Sequence, residues 1–459
     1  MSDGLKRAQD KMAAAGVNQQ AIDVFTHYYH QLEEGVTGFI AEDSIEPLDA
    51  PAQLSDVTVS DADARAALAA TVIIKLNGGL GTSMGLDRAK SLLPVRDGKN
   101  FLDLIVGQVE AARTQFGAPL PLLFMDSFRT RDDTLAALAR YPDLAVDGLE
   151  LDFLQSQEPK LLVEDLTPVE WPVDPSLEWC PPGHGDLYTA LVATGVLERL
   201  LELGYRYASV SNSDNLGAAP DATIAGWFAA SGAPYAAEIC RRTAADRKGG
   251  HLAVRKADGQ LILRDTAQTS DEEMHYFTDE HRHPYFHTNN LWFDLRKVAE
   301  ALHERQGVLG LPLIRNEKTV DPADKTSPKV VQIESAMGAA IEVFEGATAI
   351  GVGRERFLPV KTTNDLLLLR SDVYNVDAGG RLVKITDPAP LVDLDSAYYK
   401  TITEFDRRFP AGPPSMQNAT ALTVAGDWTF SRDVRVVGAV NLEDQGQAAV
   451  VAGGTVLQG

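Results

Sequence analysis

Along most of this chain, apolar and polar positions come in blocks. From about Ala70 to Asn375, short β-branched apolar runs take turns with longer stretches of helical spacing. Thr71–Lys75, Leu120–Met125 and Tyr207–Val210 predict strands, and Leu102–Gln115, Thr130–Arg140 and Asp186–Leu203 predict helices. That alternation predicts an α/β domain built on a mostly parallel sheet. Upstream, Ala21, Ile22, Phe25, Tyr28, Tyr29 and Leu32 fall near one helical stripe, before Pro47 and Pro51 mark an irregular connection. The pattern changes again after Pro388. A helical piece, Asp395–Phe409, leads into Pro410, Gly412, Pro413 and Pro414, and then into valine-rich fragments at 422–424, 434–437, 440, 450–451 and 456. Short strands at such spacing suit a small β-helix or a β-sandwich. The expected units are an N-terminal helical segment (1–45), a central catalytic-sized domain (46–387) and a C-terminal β unit (388–459).

Composition narrows the function. With 459 residues, 44% of them hydrophobic, the chain can bury a large core, yet no run of about 18 apolar residues exists to span a membrane. A formal net charge of −23 argues against nucleic acid or an anionic membrane surface as partner. The first residues lack an apolar signal core. Only Cys180 and Cys240 occur, which predicts packing residues in a reducing cytoplasm instead of a disulfide framework.

The densest chemical signal is TVIIKLNGGLGTSMGLDRAKSLLP, residues 71–94. A strand runs straight into Gly78, Gly79, Gly81 and Gly85, interleaved with Asn77, Thr82 and Ser83, and Lys90 follows. Such glycines bring backbone N–H groups against an anion, and a following lysine can neutralise phosphate. A Walker A loop ending at Lys90 and Ser91 would need glycine at Met84 and Ala89, and a dinucleotide fingerprint from Gly79 and Gly81 also fails at Met84. The loop therefore predicts nucleotide binding of a third kind.

Four later segments share its style. In Pro181-Pro182-Gly183-His184-Gly185-Asp186, glycine admits a planar ligand, His184 can donate to phosphate and Asp186 can cap the next helix. Asp214, in Ser211-Asn212-Ser213-Asp214-Asn215 after a strand, stands where open α/β sheets bind ligands and suits Mg²⁺. His287-Thr288-Asn289-Asn290 offers uncharged donors and acceptors for sugar hydroxyls. Lys361, after Phe357-Leu358-Pro359-Val360, is a candidate phosphate contact. His275, His281, His283 and His287 do not have zinc-site spacing, and a solvated loop is expected there.

Taken together, LNGGLGTSMG, PPGHGD, SNSDNLGA, DRKGG, TNNLW, ESAMGAAI and RFLPVKTT, in this order, resemble the eukaryotic-type UTP–glucose-1-phosphate uridylyltransferase family over about residues 65–440. The resemblance implies a Rossmann-like GT-A nucleotidyltransferase domain and a C-terminal left-handed β-helix. It also implies a Mg²⁺-assisted reaction in which glucose 1-phosphate attacks the α-phosphorus of UTP, giving UDP-glucose and pyrophosphate. By that resemblance, Leu76, Asn77, Gly78 and Gly79 pack on uracil and ribose, and Gln155 and Gly183 read the uracil edge. Lys90 holds the triphosphate, Asp214 binds Mg²⁺ and Asn212 touches the sugar. His184 and Lys361 hold the sugar phosphate and the reacting phosphate, while Gly250 and Asn289 line the hexose pocket.

The chain departs from the family pattern at Ala89, where proline is usual, and in the hexose pocket at His287, in place of asparagine, and Asp265, in place of glutamate. Both of these last departures fall in the sugar pocket and neither at the uracil-reading positions, so a different hexose or sugar-like 1-phosphate is the alternative substrate. A non-catalytic nucleotide-binding protein is the alternative of another class; Lys90, Asp214 and Lys361 together weigh against it. The expected partners are small molecules, with a homo-oligomer left open.

Overall fold

The computed structural model describes residues 2–243, 246 and 249–459. Among these, the centre is an eleven-stranded mixed sheet, eight strands of which follow one path. In chain order they are β1 (Ala52–Gln53), β2 (Thr71–Leu76), β3 (Leu122–Asp126), β4 (Asp152–Leu154), β5 (Tyr207–Asn212), β6 (Tyr235–Arg241), β7 (Tyr285–Asp294) and β8 (Thr348–Gly351). Across the sheet they run β1-β8-β6-β7-β5-β2-β3-β4. All neighbours are parallel except β7, which is antiparallel to both β5 and β6.

The apolar runs explain this arrangement. Every residue of β2 is buried, as expected for a strand covered on both faces. Its alternate side chains feed two cores: Val72, Ile74 and Leu76 enter one, and Ile73 the other. The expected strands appear within two residues of their predicted bounds, and the Leu102–Gln115 helix spans Phe101–Phe116. The helix predicted over Asp186–Leu203 is two helices, Leu187–Ala193 and Val196–Glu202, because Gly195 at φ +75° breaks the run.

β7 enters the sheet from the opposite direction, so its first residues meet the C-terminal ends of β5 and β6. It also carries a bulge. Glu238 pairs with Asn290 and Ile239 with His287, leaving Thr288 and Asn289 extruded, with Asn289 at φ +59°. The N-terminal stripe forms α1 (Asp3–Ala14) and α2 (Gln19–Glu33), with Ala21, Ile22, Phe25, Tyr28, Tyr29 and Leu32 all buried. Past the predicted helical piece, observed as Ser396–Tyr399 and Ile402–Arg408, the chain forms two parallel ladders. Strands 391–394, 415–424, 435–442 and 456–458 make one, and 428–430 with 449–451 the other. All-parallel pairing rules out the β-sandwich alternative. Cys180 and Cys240 are free and buried, as packing residues.

Candidate active site

The glycine loop leaves β2 at its C-terminal end. The Lys90 N–H donates to the Gly79 carbonyl at 3.1 Å and closes the loop on itself. Met84 and Ala89, which break the familiar phosphate-loop patterns, are 1% and 0% exposed: Met84 seats the loop on the core, and Ala89 is fully buried within it. Leu76 is buried beneath it. The Asn77 side chain is also buried, donating to Asp126 Oδ1 at 2.7 Å and Thr134 Oγ1 at 2.9 Å and accepting from Ser213 Oγ at 3.0 Å. Asn77 thus pins the loop to β3 and to the residues after β5, and it is the loop's backbone and glycines that are left to face a ligand. Gln155 lies directly over Gly78, where a Cβ would come within 2.7 Å of Gln155 Nε2.

Gly183 occupies an extended conformation of positive φ (+78°, ψ 178°), against Ser335. The next residue, His184, accepts the Met337 N–H on Nδ1 at 2.9 Å. Burial lowers its pKa, so the neutral ring carries its proton on Nε2 and can donate there. Asp186 does not cap the following helix. The chain is already helical at that residue, and its carboxylate reaches back to the Ser156 N–H at 2.5 Å, tying the Gly183 turn to the segment bearing Gln155. Burial raises the Asp186 pKa to about 7.

Asn212, Asp214, Gly250, Asp265, His287, Asn289 and Lys361 line one cavity of about 280 Å³ at the sheet edge where β5 and β6 end and β7 begins. Lys90 joins them: its Nζ donates to Asp214 Oδ2 at 2.6 Å and to the carbonyl of Val360, beside Lys361. Asp265 Oδ1 accepts the Thr266 N–H at 2.6 Å, and Oδ2 lies at Gly250, within 3.2 Å of where a Cβ would stand. The His287 ring is 7% exposed and accepts the Asn289 N–H on Nδ1 at 2.9 Å, which stabilises the bulge. Burial lowers its pKa to about 4, and its Nε2 has no partner where it packs against Gly338. His287 thus lines the cavity and holds the turn of Asn289 beside it.

Several residues here escaped sequence reasoning. Asn215 falls inside a segment singled out for its neighbours, and Ser335, Met337 and Gly338 lie in a block to which no role was assigned; Asn290, expected with Asn289 to meet sugar hydroxyls, is instead buried with its side chain bonded to Asn215, Glu238 and the Arg356 carbonyl. Asp246 lines the same cavity, whereas Arg247 and Lys248 of its block lie outside the described residues. The histidine group is a solvated loop only in part: His275 and His281 are exposed, whereas His283 and His287 are buried. His283 is 1% exposed, stacks on His251 at 3.9 Å and meets Glu42 Oε1 at 3.1 Å through Nε2; the buried acid makes the interior position tenable. Among the described residues, no group of three His, Cys, Asp or Glu forms a metal cage, and no helix is long and apolar enough to cross a membrane.

A family model described as UTP–glucose-1-phosphate uridylyltransferase matches residues 22–436. The UTP–glucose-1-phosphate uridylyltransferase of Solanum tuberosum is 38% identical over 408 residues, covering 87% of this chain and 82% of that one. Among solved structures, a mutant UDP-glucose pyrophosphorylase from Leishmania major in complex with UDP-glucose superposes with a TM-score of 0.93 at 43% identity, covering 100% of this chain and 98% of that one. A UDP-glucose phosphorylase from Trypanosoma brucei gives 0.91 at 40%, with 100% and 98% covered.

Proposed function

The chain belongs to the UTP–glucose-1-phosphate uridylyltransferase family, and from that membership we propose that it transfers UMP from UTP to glucose 1-phosphate, with UDP-glucose and pyrophosphate as products. A phosphate oxygen of the sugar phosphate attacks the α-phosphorus in line, the bond to the bridging oxygen of pyrophosphate breaks, and no covalent enzyme intermediate forms. The observation that carries this reading is the Lys90 ammonium, shared between Asp214 and the carbonyl beside Lys361. It draws charged groups from three loops to one cleft in a protein of net charge −23.

The work left to the protein is alignment and charge neutralisation. Gln155 and Gly183 form the wall that reads uracil. Lys90 holds the triphosphate and steadies the leaving pyrophosphate, while Lys361 and the Nε2–H of His184 hold the phosphates that react. Asn212, Gly250, Asp265, His287 and Asn289 shape the hexose pocket. Asp214 would hold Mg²⁺: a single carboxylate at a strand end suits a cation that completes its shell with phosphate oxygens and water. When bound, Mg²⁺ supplies neutralisation of the phosphate charge. The central sheet fits a Rossmann-like GT-A domain, and we read the C-terminal parallel ladders as the coils of a left-handed β-helix. Two free, buried cysteines support a reducing cytoplasmic setting.

Pyrophosphate release measured with UTP, Mg²⁺ and a panel of sugar 1-phosphates tests this. Turnover is expected to be highest with glucose 1-phosphate. No turnover with it but clear turnover with another sugar would overturn the sugar, and UTP binding without turnover on any would overturn catalysis.

A further inference from the structure

Beneath the cavity lies a buried polar cluster that no role described so far uses. Glu238, on β6, is 0% exposed and accepts four hydrogen bonds. Arg356 donates two of them, from Nε at 3.0 Å and from a terminal nitrogen at 2.7 Å; Trp292 Nε1 gives the third at 3.0 Å and Asn290 Nδ2 the fourth at 3.1 Å. The other terminal nitrogen of Arg356 donates to the Ala219 carbonyl at 2.6 Å. A buried charge pair satisfied this completely has few alternative arrangements.

Asn215, 2% exposed, extends the cluster upward. Its Nδ2 donates to Asn290 Oδ1 at 3.0 Å and to the Arg356 carbonyl at 3.2 Å. Its Oδ1 accepts the N–H groups of Gly217 at 3.2 Å and Leu358 at 2.8 Å, and its backbone bridges to Pro359. Asn215 immediately follows Asp214, and Leu358 and Pro359 lie just before Lys361. Packing between the two loops is also tight: a Cβ on Gly217 would come within 2.5 Å of the Glu355 carbonyl oxygen.

We propose that Glu238, Arg356, Asn290 and Asn215 are positioning residues that fix the loop of Asp214 against the loop of Lys361, setting the spacing between the metal-binding carboxylate and the phosphate-binding lysine. The proposal rests on the functional reading above. Four segments of the fold, β6, β7 and the two loops, meet at this one cluster. An Asn215→Ala substitution removes the side-chain link between the two loops, with the backbone bridge to Pro359 retained, and leaves the buried Glu238–Arg356 pair intact. Arg356→Lys keeps the charge but cannot hold Glu238 in two-point fashion and reach Ala219 as well.

The test is steady-state kinetics of pyrophosphate release by the full chain, with calorimetric UTP binding and thermal unfolding of the same samples. For folded Asn215→Ala we expect kcat to fall about 100-fold, as a misplacement near 1 Å produces, with UTP affinity close to wild type and a melting temperature lowered by the loss of the four hydrogen bonds of this buried side chain. Arg356→Lys should show the same split. Wild-type kcat in a folded Asn215→Ala protein overturns the proposal. So does a loss of UTP binding as large as the loss of kcat, or failure of both variants to fold, since each would make the cluster merely structural. Lys361→Ala and Asp214→Asn separate the two readings: if both abolish turnover and Asn215→Ala does not, only the positioning role fails, whereas full activity in both sinks the functional reading itself.

Discussion

Replacing Gly183 by alanine isolates the contribution of the turn against which uracil is expected to rest. At φ +78° and ψ 178° this residue is in a region that is essentially glycine-only, and holding alanine there costs about 1–3 kcal/mol. Space adds to that. The new Cβ would come within 2.6 Å of the Ser335 oxygen, 2.9 Å of its nitrogen and 3.1 Å of Glu334 Cβ, none of which is the mobile end of a long side chain. Relief requires moving 334–337, and three hydrogen bonds depend on that segment: Gly185 N–H to Ser335 O at 2.8 Å, Ser335 N–H to Pro182 O at 3.0 Å, and Met337 N–H to His184 Nδ1 at 2.9 Å. At about 1 kcal/mol each, weakening two or three of them brings the total to about 3–6 kcal/mol. Gly195→Ala is the control. Its φ is also positive, +75°, but nothing lies within 4 Å of the added Cβ, so only the left-handed backbone cost of about 1–2 kcal/mol applies. Urea unfolding, taken as the change in midpoint times m, measures both variants, and pyrophosphate release measures turnover. We expect Gly183→Ala to lose at least twice the stability of Gly195→Ala and, through the displaced His184, about 100-fold in kcat/KM. Equal stability losses with kcat/KM near wild type would refute the reasoning.

Lys361 is exposed, with only its backbone N–H fixed, by Asp365 Oδ2 at 2.8 Å; Lys361→Ala should therefore lower kcat by orders of magnitude and leave the unfolding midpoint nearly unchanged. Lys75 is fully buried, and burial lowers its pKa to about 7 from an unfolded value of 10.5. Between those values the unfolded chain binds the extra proton, so this group makes stability rise with pH across that window and contributes no slope below it. Urea midpoints from pH 7 to 10 should show that rise in the wild type relative to Lys75→Met; parallel curves would exclude it. Asn77→Ala removes three buried hydrogen bonds, one of them to a carboxylate, and should cost about 3–5 kcal/mol in urea unfolding.

What could be read from the sequence was local. β2 was visible because a strand buried on both faces is apolar throughout, and Lys90, Asp214 and Lys361 were visible because charged residues just past apolar runs face the cleft in this kind of sheet. β7 was legible only as a motif, since His287-Thr288-Asn289-Asn290 interrupts the alternation that marks a strand. Its polar residues are paid for by partners far away in sequence: Thr288 donates to the Glu238 carbonyl, and Asn290 to the Glu238 carboxylate. The same non-local pairing hid His283, which needs Glu42 to be buried, and Asp186, whose partner is Ser156. Gly195 is different: a glycine inside a long predicted helix is itself a break signal, and the break falls there.

The reversed strand in the middle of the sheet has an evolutionary consequence. Because β7 runs against its neighbours, its opening residues arrive at the ligand edge without belonging to any of the loops that grip the nucleotide. On the proposed function, a change at His287 or Asn289 would act on the acceptor pocket without passing through the loops of Lys90 or Lys361. On that same reading, one strand of opposite sense gives the acceptor pocket a wall that can vary separately from the glycine loop, beside Asn212, Gly250 and Asp265 from other elements.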